Sequence, residues 1–185
     1  MFYLLDQPTE DEFQTLSQRY REMNPSSVQA AVTLLKTGSD VLTGFEKMLK
    51  GYGLSQGRFL ILMVMNRRPG EVAAPSDLAR KVGVTRATMT GLLDGLVKDG
   101  LIRRYAHAED RRRYNLKLTE KGMQLLDDLL PDYWSRIYAL MGGLSEVEEK
   151  ELARLLGKVA ARAGELTKGK EQRYELRPRP FGIRF

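Results

Sequence analysis

Cysteine is absent from this chain of 185 residues. Disulfides, thiolate catalysis, thiol redox sensing and cysteine-ligated zinc are therefore excluded. Histidine is nearly absent too: His107 is the single one, too little for a metal site built on imidazoles. No metal and no other cofactor is expected. Long hydrophobic runs are missing, since the longest, Phe59 to Met65, spans seven residues. A membrane helix needs about 18. Residues 1–12 carry acids but no Lys or Arg, so the basic start of a secretory signal is lacking and a cytoplasmic location is the expectation. His-Glu-x-x-His, Gly-x-Ser-x-Gly and a Walker-type phosphate loop are also wanting. Gly51-x-Gly53 with Gly57 joins two helical patterns instead of following a strand. An enzyme is not expected.

What remains is an ordinary globular composition, 42% hydrophobic and 29% charged, long enough for one compact domain or two small ones. Thirty Lys and Arg against 24 Asp and Glu leave a charge of +6, which suits an anionic partner.

Apolar periodicity describes a mainly α chain. Thr9 and Glu12 have capping-box spacing, and Phe13, Leu16, Tyr20 and Met23 predict a helix from Thr9 to Met23. Asn24-Pro25-Ser26 breaks it, and a longer helix is predicted from Ser27 to about Lys50. A third starts at Ser55, with Leu54 and Phe59 in hydrophobic-staple positions. Its stretch from Phe59 to Met65 is apolar all round, which predicts burial at the centre of the domain. A short helix from about Ser76 to Lys81 and a turn at Gly83 lead to a helix capped by Thr85. Met89, Leu92, Leu93, Leu96 and Val97 give that helix one apolar stripe, and Gly100 stops it.

Leu101 to Tyr105 and Tyr114 to Leu118 read as two strands around a polar turn, Ala106 to Arg113. Thr119 caps a long helix in which Pro131 is expected to cause a kink. Ser145 and Glu148 open a last helix, whose stripe is Leu152, Leu155, Leu156, Val159, Ala163 and Leu166. Residues 168–185 read as an irregular basic tail.

The centre of the chain is thus helix, turn, helix and hairpin. Ala79 is small where two helices cross, and Gly83 stands at the bend, the turn chemistry of a helix-turn-helix. In that motif the second helix enters the major groove. At 100° per residue, Ala87, Gly91, Asp94 and Lys98 lie opposite the apolar stripe, with Thr88 and Thr90 on the shoulders. Small Ala87 and Gly91 permit close approach to DNA. Thr85, Thr88 and Thr90 offer hydroxyls, and Arg86 can reach a guanine or a phosphate. A solvated, threonine-rich face is the plainer reading of the helix alone. The turn Glu109-Asp110-Arg111-Arg112-Arg113 shifts the balance, because three arginines on a protruding tip suit a narrow minor groove.

These residues resemble the MarR family of bacterial and archaeal transcriptional regulators. The resemblance rests on Ser76-Asp77-Leu78-Ala79, Thr85-Arg86-Ala87-Thr88-Met89-Thr90, Leu92-Leu93-Asp94 and Gly100-Leu101-Ile102-Arg103-Arg104. Above all it rests on Asp110-Arg111-Arg112 leading into Leu118-Thr119-Glu120-Lys121-Gly122. It implies a mainly α fold with a small β-hairpin wing: a winged helix-turn-helix core, 54–118, flanked by dimerisation helices in 26–53 and 119–167. Residues 1–25 would be an extension with one extra helix, and 168–185 the basic tail. The implied function is that of a homodimeric regulator, a repressor, on a pseudo-palindromic operator in double-stranded DNA. The DNA contacts would come from Ser76, Thr85, Arg86, Ala87, Thr88, Thr90, Gly91, Lys98, Asp110, Arg111, Arg112 and Arg113. Arg112 would enter the minor groove, with Asp110 positioning it. Gly95 departs from the pattern, where the family often has a basic or polar residue.

Many members of the family answer to small aromatic or phenolic effectors. The corresponding lining here would be Phe45, Met48, Phe59, Met63, Tyr133 and Trp134, although for each singly core packing is the commoner role. A winged helix that recruits a protein partner instead of DNA is the alternative use of the same fold.

Overall fold

The computed structural model describes residues 8–106 and 114–167. It contains seven α-helices and one antiparallel hairpin among the described residues: α1 (Glu10–Arg19), α2 (Pro25–Gly51), α3 (Gln56–Asn66), α4 (Pro75–Val82), α5 (Arg86–Lys98), β1 (Ile102–Ala106), β2 (Tyr114–Leu118), α6 (Glu120–Met141) and α7 (Glu146–Ala160). A 3-10 turn, Ala163–Thr167, follows. The chain is mainly helical with a two-stranded wing, as its periodicity predicts. None of the described helices is long and apolar enough to cross a membrane.

Two compact units divide the chain. Of the described residues, the first includes 33–106 and 114–135, and it holds the hydrophobic core. Leu49, Ile61, Leu62, Leu78, Met89, Leu93, Leu96, Ile102, Leu116, Leu126 and Leu129 are its most deeply buried large side chains. Such burial contributes about 1.5–3 kcal/mol per large apolar side chain, so these few residues decide how α3, α4, α5, the hairpin and the start of α6 pack. Within α3, Phe59, Ile61, Leu62 and Met65 are buried but Leu60 is exposed. Burial is therefore one-sided, not the all-round enclosure expected from its composition.

The hairpin pairs Ile102 with Leu118 and Ala106 with Tyr114. The first strand thus starts one residue later than its sequence suggests, since Leu101 is committed to the junction with α6: its carbonyl accepts the Thr119 amide at 3.1 Å. An isolated bridge adds Ala73 to the outer side of β2, with both amide bonds to Leu116 made.

Of the described residues, the second unit includes 8–32 and 136–167. The capping box at Thr9 and Glu12 is present, but α1 ends at Arg19, four residues short of the expected Met23. Tyr20 adopts an extended backbone, and Met23 closes a turn onto its carbonyl. Asn24 then caps α2, its Oδ1 accepting the Ser27 amide at 3.0 Å, while Pro25 takes the first helical position that its fixed φ favours. The longer helix accordingly opens two residues before the expected Ser27. At the other end, Ser145 and Glu148 form their capping box. The predicted stripe is cut at Ala160, so Ala163 and Leu166 fall in the 3-10 turn outside α7. Pro131 lies inside α6 without ending it.

Candidate nucleic-acid interface

The turn between α4 and α5 is built by Gly83. Its φ of 77° is left-handed, and the amides of Gly83 and Val84 both return to the Ala79 carbonyl, at 2.9 and 3.1 Å. Leu78 and Ala79 are buried where α4 crosses its neighbours, so small Ala79 sets the close approach. Thr85 caps α5, its hydroxyl accepting the Thr88 amide at 3.2 Å. Behind the helix, Met89, Leu93 and Leu96 are buried. In front, Thr85, Arg86, Ala87, Thr88, Thr90, Gly91, Asp94 and Lys98 are all exposed. A Cβ added at Gly91 would meet nothing within 4 Å, so the internal packing makes no demand for glycine there.

The threonine hydroxyls are less free than their exposure suggests. Thr85 and Thr88 bond each other at 2.9 Å, and the Thr90 hydroxyl donates to the Arg86 carbonyl at 3.0 Å. Their remaining capacity is largely as acceptors, which suits base amino groups better than phosphates. The unsatisfied amides of the first turn of α5, together with Arg86, are the anion-facing donors.

A cleft of about 410 Å³ brings Ser76 at the start of α4 together with Arg86 and Thr90 on α5, and its far wall is Tyr114 and Asn115 of β2. Three of the predicted contact residues thus share one concavity. Lys98 stands apart at the other end of the helix, twelve residues from Arg86, or about 18 Å at 1.5 Å per residue. Asp110, Arg111, Arg112 and Arg113, like His107, lie outside the described residues. Tyr114 and Asn115 escaped the sequence reading, although the alternation that predicts β2 begins with them. Arg104 was missed as well. It pairs with Asp94 across to α5, and its guanidinium lies 4.7 Å from the centre of the Tyr114 ring. The carboxylate on the exposed face of α5 is thereby partnered by a cation from the wing.

The C-terminal end of α5 is held by Arg58 of α3. Arg58 pairs with Asp99 and donates to the Gly95 carbonyl at 3.3 Å. Hydrogen bonding from Arg58, and next its charge, hold the exposed Asp99 carboxyl below its ordinary value. Gly95 is crossed by this guanidinium, 3.7 Å from the position of a Cβ.

Among the residues anticipated as an effector pocket, Met48 and Phe59 are buried in the core, and Phe45, Met63 and Tyr133 are partly buried against it. Trp134 is 51% exposed. The Tyr133 ring touches Phe45, Phe59 and Trp134, with centroids 5.2, 5.0 and 4.9 Å away.

Residues 52–113 match the MarR family. The transcriptional repressor YetL of Bacillus subtilis is 34% identical over 141 residues, 76% of this chain and 84% of YetL. The chain belongs to the MarR family. Among solved MarR-like structures, the transcriptional regulator BldR of Sulfolobus solfataricus is 28% identical, with a TM-score of 0.60 over 74% of this chain and 96% of BldR. The S. aureus MepR–DNA complex shares the fold, with a TM-score of 0.65 at 22% identity over 71% of this chain and 96% of MepR. As a MarR-family member, the protein is a winged-helix transcriptional regulator, and α4, α5 and the hairpin are its helix-turn-helix and wing.

Proposed function

We propose that the protein is a homodimeric repressor that binds a pseudo-palindromic operator in double-stranded DNA, with α5 in the major groove and the wing beside it. The observation that carries this reading is the division of α5: three fully buried apolar residues fix its back, while its exposed front is small, polar and opened by Arg86. Such a helix can press its backbone against base edges without losing its own packing. MepR is known in complex with DNA, and YetL is a repressor. Homodimerisation is supported by the exposed Leu155, Leu156 and Val159 on α7, an apolar face of the kind that marks an interaction site. Residues 26–53 and 119–167 are the proposed dimerisation region, 54–118 the reading domain.

The effector site belongs to the same proposal. Tyr133 and half-exposed Trp134 present aromatic surface beside Phe45, which suits a small aromatic or phenolic ligand, whereas Met48 and Phe59 would serve as its floor.

Fluorescence anisotropy with a selected operator tests the assignment. Arg86→Ala should weaken specific binding by about 1–3 kcal/mol, and Arg112→Ala should abolish discrimination between operator and random duplex while leaving the dimer intact by light scattering. Unchanged affinity in both variants would remove α5 and the wing from the interface.

A further inference from the structure

Arg103 and Lys117 stand directly opposite one another across the hairpin. Opposed residues of an antiparallel pair lie on one face with Cβ atoms about 5 Å apart, and like charges there are destabilising. Among the described residues neither side chain has an ion-pair or hydrogen-bond partner. The acids at the C-terminal end of α5 are committed elsewhere, Asp94 to Arg104 and Asp99 to Arg58. Lys121 donates to the Asp99 carbonyl at 2.9 Å. The wing therefore has two unlike faces. On the inner one Arg104 is neutralised and laid over Tyr114. On the outer one two cations line a cleft of about 610 Å³ with Tyr105, Glu120 and Lys121.

A like-charged pair with no ion-pair partner among the described residues matches an anionic partner. Both strands run directly into residues 107–113, whose three arginines are the proposed groove contact. Cations set back from a groove-reading tip meet the sugar–phosphate backbone, not base edges.

We infer that Arg103 and Lys117 each bind a phosphate of the DNA backbone beside the groove the wing reads, adding affinity but no sequence discrimination. This rests on the DNA-binding reading above and extends its footprint to the outer face of the hairpin.

The test is the salt dependence of operator binding by the full chain and by Arg103→Gln, Lys117→Gln and the double variant. Lys47→Gln, an exposed cation on α2, controls for net charge. Each phosphate contact contributes about 0.9 to the slope of log K against log salt. Each single variant should flatten the slope by about one and the double variant by about two, with the preference for operator over random duplex unchanged. Because a repulsive pair is removed, the thermal midpoint should hold or rise. Slopes equal to that of Lys47→Gln would overturn the inference, as would a lowered midpoint with unchanged slope, which would make the pair structural. Failure of the unmodified chain to bind duplex DNA would overturn the DNA-binding reading itself.

Discussion

Gly122, in the first turn of α6, lies against the backbone of Leu101. A Cβ at residue 122 would stand 3.1 Å from the Leu101 carbonyl carbon, closer still to its oxygen, and 2.9 Å from Leu118 Cδ1. Around this contact the Thr119 hydroxyl donates toward the carbonyls of Gly100 and Leu101, at 2.7 and 3.0 Å, and accepts the Gly122 amide at 3.0 Å. The base of the wing is thereby tied to the start of α6. The Thr119-Glu120-Lys121-Gly122 motif ends in glycine because only a hydrogen fits there.

Gly122→Ala should accordingly destabilise the protein by at least the 1–3 kcal/mol typical of overpacking, since backbone yields less than a side chain. At this chain length each kcal/mol lowers the midpoint by about 2–4 °C. Urea or thermal unfolding reads the effect; an unchanged midpoint would show that the α6 turn is not pressed on Leu101.

Gly95→Ala should have the opposite sign. Its Cβ would rest in ordinary contact with Arg58, and alanine in a helix interior gains about 0.5–1 kcal/mol over glycine. A gain in the unfolding midpoint, with operator affinity within twofold of the unsubstituted chain, is the expected result. A loss would mean that Arg58 needs the space.

Thr85 serves both the fold and the proposed interface, and two substitutions separate the roles. Thr85→Ala removes the cap of α5 and should cost about 1 kcal/mol, whereas Thr85→Ser keeps an equally good capping hydroxyl and should leave stability unchanged. If Thr85→Ser also keeps operator affinity while Thr85→Ala loses more affinity than stability, the hydroxyl touches DNA. Equal losses in binding and stability would confine it to the cap.

Stability should fall on acidification in part through Asp99. Its folded-state carboxyl is held below the ordinary 3.8 by the Arg58 hydrogen bond first and the Arg58 charge second. A depressed carboxylate favours the folded state above its unfolded pKa, and the contribution is lost as pH falls through the folded one. The stability difference between the unsubstituted chain and Asp99→Asn should therefore be constant above about pH 5 and shrink below about pH 4. A difference that persists undiminished into stronger acid would contradict the pairing.

Much of this architecture is legible residue by residue. Capping signals at Thr9, Ser55, Thr85 and Ser145 mark helix starts because a side-chain oxygen satisfies an otherwise orphaned amide, and all four operate. The stripe of α5 is equally plain, since Met89, Leu93 and Leu96 repeat at helical spacing. Helix ends are less legible. Tyr20 and Met23 continue the period of α1, but the turn needed before Asn24 and Pro25 interrupts it. Long-range pairs are the least visible. Neither Asp94 with Arg104 nor Arg58 with Asp99 follows from local pattern, because only the packing of α3, α5 and the hairpin brings those charges together. Thr85, Thr88 and Thr90 are correctly placed on the exposed face, but the bonds that occupy their hydroxyls depend on rotamers that no sequence pattern records.

On the proposed function, α5 and the wing read a particular DNA sequence as a symmetric pair. Selection of bound duplexes from a random pool by the purified protein, at about 0.15 M salt so that nonspecific attraction is partly screened, tests it most directly. The expected result is an inverted repeat with half-sites about one helical turn apart. Bound duplexes that share no motif, or a single half-site without its symmetric partner, would contradict it.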